Sequence, residues 1–221
     1  MLALPEHLRA PAERLFGDRL ELAQRYTDLL AEQGVERGLI GPREVERLWE
    51  RHIINCALLS DAIPEDAASL ADVGSGAGLP GVVIAIARPD LPVTLIETMQ
   101  RRTMWLEEVD AELDLGLEVV RARAEELHGD RDFAVVTARA VAALDKLAKW
   151  TMPLVADGGS LIAMKGSSAQ DELDAAQKVL RRLGGDEGTV LRCGEGEVDL
   201  PTTVVHVRRR ARATRKGDPR G

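Results

Sequence analysis

Cysteine is nearly missing from this chain of 221 residues, in which Cys56 and Cys193 are the only two. They lie far apart, which excludes a disulfide framework and a cysteine metal cage and makes a reducing cytoplasm the simplest compartment. Aromatic residues make up 3% of the sequence, with one tyrosine and two phenylalanines. So few rings limit the reading of single-stranded RNA by stacking, and leave the shape of a folded RNA or ribonucleoprotein as the recognisable feature. No run is long and apolar enough to span a bilayer, and the opening MLALPEHLRAPAERLF carries acids and an early proline instead of the basic start and apolar run of a secretion signal. Positive charge is not in excess either, since 29 Lys and Arg stand against 37 Asp and Glu for a net charge of −8. That excludes a chain that coats nucleic acid indiscriminately, while permitting a local basic face.

What is present, 45% hydrophobic and 30% charged residues, describes a globular chain of a size for one domain with a helical appendage. The stretch Ala71 to Gly81, ADVGSGAGLPG, organises the rest. A short apolar strand carries Asp72, then come Gly74, Ser75, Gly76, Gly78, Leu79 and Gly81, and an apolar run from Val82 to Ala87 reads as a helix. Glycines in such a turn allow positive φ and close approach of a ligand to the backbone, and free N–H groups at a helix start favour polar or anionic groups. A nucleotide-like ligand is expected there. Gly76, Gly78 and Gly81 spell G-x-G-x-x-G, which alone is compatible with a dinucleotide. Asp72 would repel a pyrophosphate and suits a cationic group such as the ammonium of S-adenosylmethionine. Glu97, closing the strand VTLIE, is placed to accept both ribose hydroxyls. Each acid alone also fits a plain structural role, Asp72 as a helix or turn cap and Glu97 as a solvated strand end. Together with the glycines they favour adenosine without phosphates.

The spacing of apolar residues predicts a helix from Arg14 to Gln33 and, after glycines at 34, 38 and 41, a second from Pro42 to about Ile63. On the second, Arg47, Arg51 and Asn55 share one face with His52 beside them; this is either a solvated face or a holder of RNA phosphates. Residues 1–66 form a helical cap, 67–208 the main domain, and 209–221 a basic tail expected to be disordered. Strands are expected at Ser69–Gly74, Val93–Glu97, Leu117–Arg121, Phe133–Ala138, Ser160–Lys165, Gly188–Arg192 and Thr203–Arg208. Helices at Pro80–Ala87, Arg101–Asp110, Leu144–Leu154 and Ala169–Leu183 intervene. This alternation predicts an α/β, Rossmann-like fold: a mostly parallel seven-stranded sheet with an antiparallel edge pair and an N-terminal helical cap. Ligands of such sheets bind beyond the carboxyl ends of the strands.

DVGSGAGLPG, the segments RAEE (Arg123 to Glu126), TARAVAALDK (Thr137 to Lys146) and AMKG (Ala163 to Gly166), and the upstream LWERHIIN (Leu48 to Asn55) closely resemble the RsmG family, also called glucose-inhibited division protein B. These are bacterial methyltransferases of small-subunit ribosomal RNA. The resemblance runs from about Leu15 to Val207. It implies S-adenosylmethionine as donor and N7 of a guanosine in the 530 loop of 16S rRNA as acceptor, on free rRNA or a small subunit. By position it implies donor contacts at Gly74, Leu79, Ala124, Glu125 and Arg139.

Methylating an exocyclic base nitrogen calls for a polar-Pro-Pro-aromatic turn after the fourth strand, where this chain has TARAVA, and methylating cytosine carbon calls for a cysteine near the donor. Guanine N7 carries no proton, so its attack on a sulfonium methyl needs alignment and no general base. No metal is expected, and a monomer is. Arg139 and Lys165 are candidates to orient the substrate, although either could be a simple loop or strand-end cation. Arg101 and Arg102 at a helix start call for an anion such as RNA backbone, and Lys146 lies with Lys149 and Trp150 on one helix, Trp150 being expected in the core. A small-molecule or protein methyltransferase, a nicotinamide-dependent oxidoreductase and a non-catalytic binding module remain as competing classes.

Overall fold

The computed structural model describes residues 2–211. Its centre is a seven-stranded sheet formed by β1 (Leu70–Val73), β2 (Val93–Glu97), β3 (Glu118–Arg121), β4 (Phe133–Arg139), β5 (Val155–Lys165), β6 (Thr189–Cys193) and β7 (Thr202–Arg208). The spatial order is β3-β2-β1-β4-β5-β7-β6. β1 pairs in parallel with β2 and β4, β3 with β2, and β5 with β4, whereas β7 runs antiparallel to both β5 and β6. Every strand expected from the sequence is present, and the antiparallel pair lies at the edge.

Each inner strand alternates between two cores because successive side chains point to opposite faces. Leu70, Leu95, Val135, Ile162 and Val204 pack on one face, against α4 (Gly81–Ala87), α5 (Gln100–Leu113) and the N-terminal helices. Their neighbours Ala71, Ile96, Val136, Leu161 and Val205 pack on the other, against α6 (Leu144–Thr151) and α7 (Ala169–Arg182). Burial on both faces accounts for the apolar run of β2, where even the terminal Glu97 is buried.

The N-terminal helices are broken where the sequence spacing predicts continuity. α1 (Arg9–Phe16) ends at Gly17, whose φ of 49° cannot continue a right-handed helix, and α2 (Leu20–Gln33) follows a tight turn. The segment expected as one helix from Pro42 changes winding three times. It is a 3₁₀ helix over Pro42–Arg47, widens to a π-helix over Leu48–Ile54, passes through the short α3 (Asn55–Ala57), and tightens again over Leu58–Ala62. A five-residue repeat suits the π stretch, since Leu48 and Ile53, and Trp49 and Ile54, all reach the core and leave Arg51 and His52 on the opposite side.

Part of the basic tail is also ordered. Arg209 places its guanidinium on the carbonyls of Met152, Pro153 and Val155, and its N–H on Gly159. The rest of that tail, from residue 212, lies outside the described residues.

α4 packs so closely on the sheet that a Cβ at Gly81 would sit 2.3 Å from Leu95 and 2.8 Å from the Asp72 carboxylate. Gly81→Ala is therefore expected to destabilise the protein by about 1–3 kcal/mol through overpacking, read as a lower urea midpoint with an unchanged slope.

Candidate active site

β1 feeds the glycine turn at the point where strand order reverses between β1 and β4, the usual ligand crevice of an open α/β sheet. The turn is held from beneath. Ala77 offers its carbonyl to two buried donors, Tyr26 Oη of α2 at 2.9 Å and Trp105 Nε1 of α5 at 2.8 Å. Gly78 beside it has φ 102°, and a Cβ there would meet Val82 at 2.5 Å and the Tyr26 hydroxyl at 2.8 Å, so only glycine fits.

Asp72 is fully buried, and its Oδ2 accepts the Gly81 N–H at 2.9 Å. Oδ1 has no partner among the described residues, and burial pushes the carboxyl pKa up to about 7. The start of α4 is thus occupied by the chain's own acid, and a pyrophosphate has no place there. Glu97 lies deeper than a solvated strand end. Its Oε2 accepts the Gly76 N–H at 3.0 Å, its Oε1 accepts the N–H groups of Thr98 at 2.8 Å and Met99 at 2.9 Å, and Arg102 approaches at 3.5 Å.

Two cavities open at this edge of the sheet. The first, of about 780 Å³, is lined by Gly74, Ser75, Gly76, Leu79, Glu97, Ala124, Glu125 and Arg139, all singled out in the sequence, and also by Arg102. The second, of about 1230 Å³, is lined by Arg51, His52, Asn55, Arg139 and Lys165. The two share Glu44, His52, Arg139, Ala140 and Val141. Ala140, at φ 54°, takes a left-handed turn directly after β4, at a cost of about 1 kcal/mol, and Val141 then lies over Gly74.

Not every residue singled out by the sequence lines these cavities as a free group. Asp72 and Gly78 support the turn from below and do not line either cavity. Arg47, Arg101 and Lys146 are exposed and lie outside both. The Lys165 side chain is almost wholly buried, and its Nζ is tied to the Ala142 carbonyl at 2.7 Å and to Glu172 at 2.8 Å. Trp150 is half-buried and lines the first cavity, although the sequence places it in the core. The sequence reading missed Leu39, Ile40, Glu44 and Arg192, which come from the loop after α2, the turn that follows it, and β6. Arg123 lines the first cavity and was legible as the first residue of RAEE. No cluster of three or more His, Cys, Asp or Glu suited to a metal occurs among the described residues, and no helix there is long and apolar enough to cross a membrane.

The Asp72 carboxyl keeps its proton to about pH 7 in the folded chain against 3.8 as its ordinary value. Over that window the folded state binds more protons, so this contribution to stability is present at low pH and lost as pH rises. Asparagine keeps an oxygen for the Gly81 N–H and cannot ionise. Asp72→Asn should therefore gain stability relative to the parent between about pH 5 and about pH 8, read from paired urea midpoints.

The family model for rRNA small subunit methyltransferase G matches residues 19–200. A ribosomal RNA small subunit methyltransferase G from a Nocardioides species is 59% identical over 89% of this chain and 79% of its own length. The protein of that name from Renibacterium salmoninarum is 53% identical over 94% of this chain and 97% of its own length. Among solved structures, the N-methyltransferase NodS from Bradyrhizobium japonicum superposes with a TM-score of 0.53 at 14% identity, covering 81% of this chain and 98% of that one, a likeness of fold. A family match over residues 19–200 and relatives 53–59% identical over most of their length show that the chain belongs to the rRNA small subunit methyltransferase G family.

Proposed function

We propose that this chain transfers the methyl group of S-adenosylmethionine to N7 of a guanosine in the 530 loop of 16S rRNA, with the donor in the first cavity and the acceptor nucleotide in the second. The observation that carries this is the wall common to the two cavities, Arg139 to Val141, at the carboxyl ends of the central strands. A donor and an acceptor on either side of one wall meet at its edge, as direct transfer requires.

The residues of the first cavity fit the donor. Glu97 is a buried carboxylate with capacity for ribose hydroxyls, the backbone from Gly74 to Gly76 is open to a ligand, and Asp72 bars a phosphate-bearing nucleotide from the helix start. Bound there, S-adenosylmethionine supplies an electrophilic methyl group on a sulfonium. The chain's own residues then have two tasks, to orient and to exclude water. Arg51, Arg139 and Arg192 outnumber Glu44 in the lining of the second cavity, where Lys165 and Glu172 offset each other, and this local positive charge in a protein of net charge −8 favours an RNA backbone at that place. No group is required to remove a proton, since N7 has none. A cytoplasmic monomer acting without a metal goes with this reading, because small subunits are assembled in the cytoplasm.

The test is transfer of labelled methyl to small subunits, and separately to deproteinised rRNA, from cells lacking this protein. A single 7-methylguanosine in the 530 loop is expected; transfer to another nucleotide, or none while the donor binds, overturns the acceptor. Glu97→Ala should weaken donor binding roughly tenfold or more, from the loss of charge-assisted hydrogen bonds, with rRNA affinity unchanged, as measured by calorimetric titration.

A further inference from the structure

Arg139 stands on the wall between the cavities, and its guanidinium donates to the π-wound segment of the cap and to α3. Its Nη1 donates to Cys56 Sγ at 3.1 Å, and its Nη2 to the Arg51 carbonyl at 3.2 Å and to His52 Nδ1 at 2.7 Å. A guanidinium only donates, so Nδ1 must be unprotonated and the ring proton must sit on Nε2. Nε2 lies 2.7 Å from Glu44 Oε2, which can only accept when ionised. The direction of both hydrogen bonds is thereby settled, from Arg139 to His52 to Glu44.

We infer that His52 is a positioning residue for methyl transfer: as a neutral ring carrying its proton on Nε2, it accepts from Arg139, donates to Glu44, and so holds the guanidinium at the wall where acceptor meets donor. The inference rests on the two-cavity reading given above. A second proton on His52 would turn Nδ1 into a donor aimed at a cation and release Arg139. The charged and titratable groups facing the ring are Arg139 from the end of β4, Glu44 from the Pro42–Arg47 turn and Arg51 from its own segment, with Arg47 acting on Glu44 and the Cys56 thiol beside Arg139. Burial and the Arg139 charge press the ring pKa below its ordinary value, and Glu44 opposes them. Neutral pH keeps the arrangement closed, and acid opens it.

The first test needs no activity. Nitrogen-15 spectra of the imidazoles in the free protein at neutral pH should show His52 neutral with its proton on Nε2; a charged ring or a proton on Nδ1 would overturn the inference. The second is single-turnover methyl transfer to small subunits as a function of pH, with donor affinity measured alongside. The wild-type rate should fall on the acid side. H52N, whose amide oxygen can stand in for Nδ1 and cannot titrate, should keep the rate within about threefold and lose that fall, whereas H52A should lose roughly ten- to hundredfold in rate at unchanged donor affinity. E44Q keeps an acceptor for Nε2 and removes the charge that raises the ring pKa, so the fall should move to lower pH; this variant decides if H52A does not fold. An acid fall that persists in H52N belongs to another group, such as Asp72, and overturns the inference, as does a wild-type rate in H52A or an unmoved fall in E44Q. Absence of transfer by the wild-type chain at every pH would overturn the proposed function, and the positioning role with it, whichever tautomer the spectra show.

Discussion

The carbonyl of Ala77 carries two buried hydrogen bonds, and the rest of the site depends on them. One donor is Tyr26 from the cap and the other is Trp105 from the helix after β2, so the glycine turn is clamped between two parts of the chain far apart in sequence. Each bond is worth about 1 kcal/mol net, and loss of both would cost more by leaving a buried carbonyl without a partner. Tyr26 is the only tyrosine in the chain and is completely buried. The cap is therefore part of the floor of the first cavity as well as a cover for the second.

Electrostatics divides the same edge in two. The acids Asp72 and Glu97 are buried under and beside the first cavity, each partly satisfied by backbone N–H groups, while Arg51, Arg139 and Arg192 gather at the second. The remaining surface acids account for the negative net charge and are partly used to fasten the cap. Arg14 of α1 forms hydrogen bonds to both Asp61 and Glu197, joining the cap to the loop between β6 and β7. Such exposed pairs contribute little energy individually. Their position makes the cap and the antiparallel edge of the sheet one unit around the second cavity, as does Thr202, whose hydroxyl donates to the Asn55 carbonyl at 2.6 Å.

Much of this was legible in the order of residues. Strand alternation, the glycine turn, and Glu97 and Arg139 at strand ends are local patterns with local physical causes: a period of two, positive φ, and the direction of a parallel strand. Less legible were roles that depend on what lies above or below a residue. Asp72 has a ligand-facing reading and a capping reading from the same sequence, and its oxygen lies on the Gly81 N–H beneath the turn. Lys165 reads as a free cation until Glu172, one turn into α7, is brought against it. Arg209 looks like the start of a loose tail, and yet three carbonyls after α6 accept its guanidinium.

By itself the sequence determined the sheet, its polarity and the glycine turn that lines the first cavity, because these follow from hydrogen-bond geometry and side-chain period within short segments. Only the tertiary structure decided which cations share a cavity, that Trp150 faces the first one, and that the cap winds loosely at Leu48–Ile54 so that His52 reaches Arg139. Those outcomes rest on contacts between residues far apart in the chain, where packing and burial override local preference, and no pattern of neighbours encodes them.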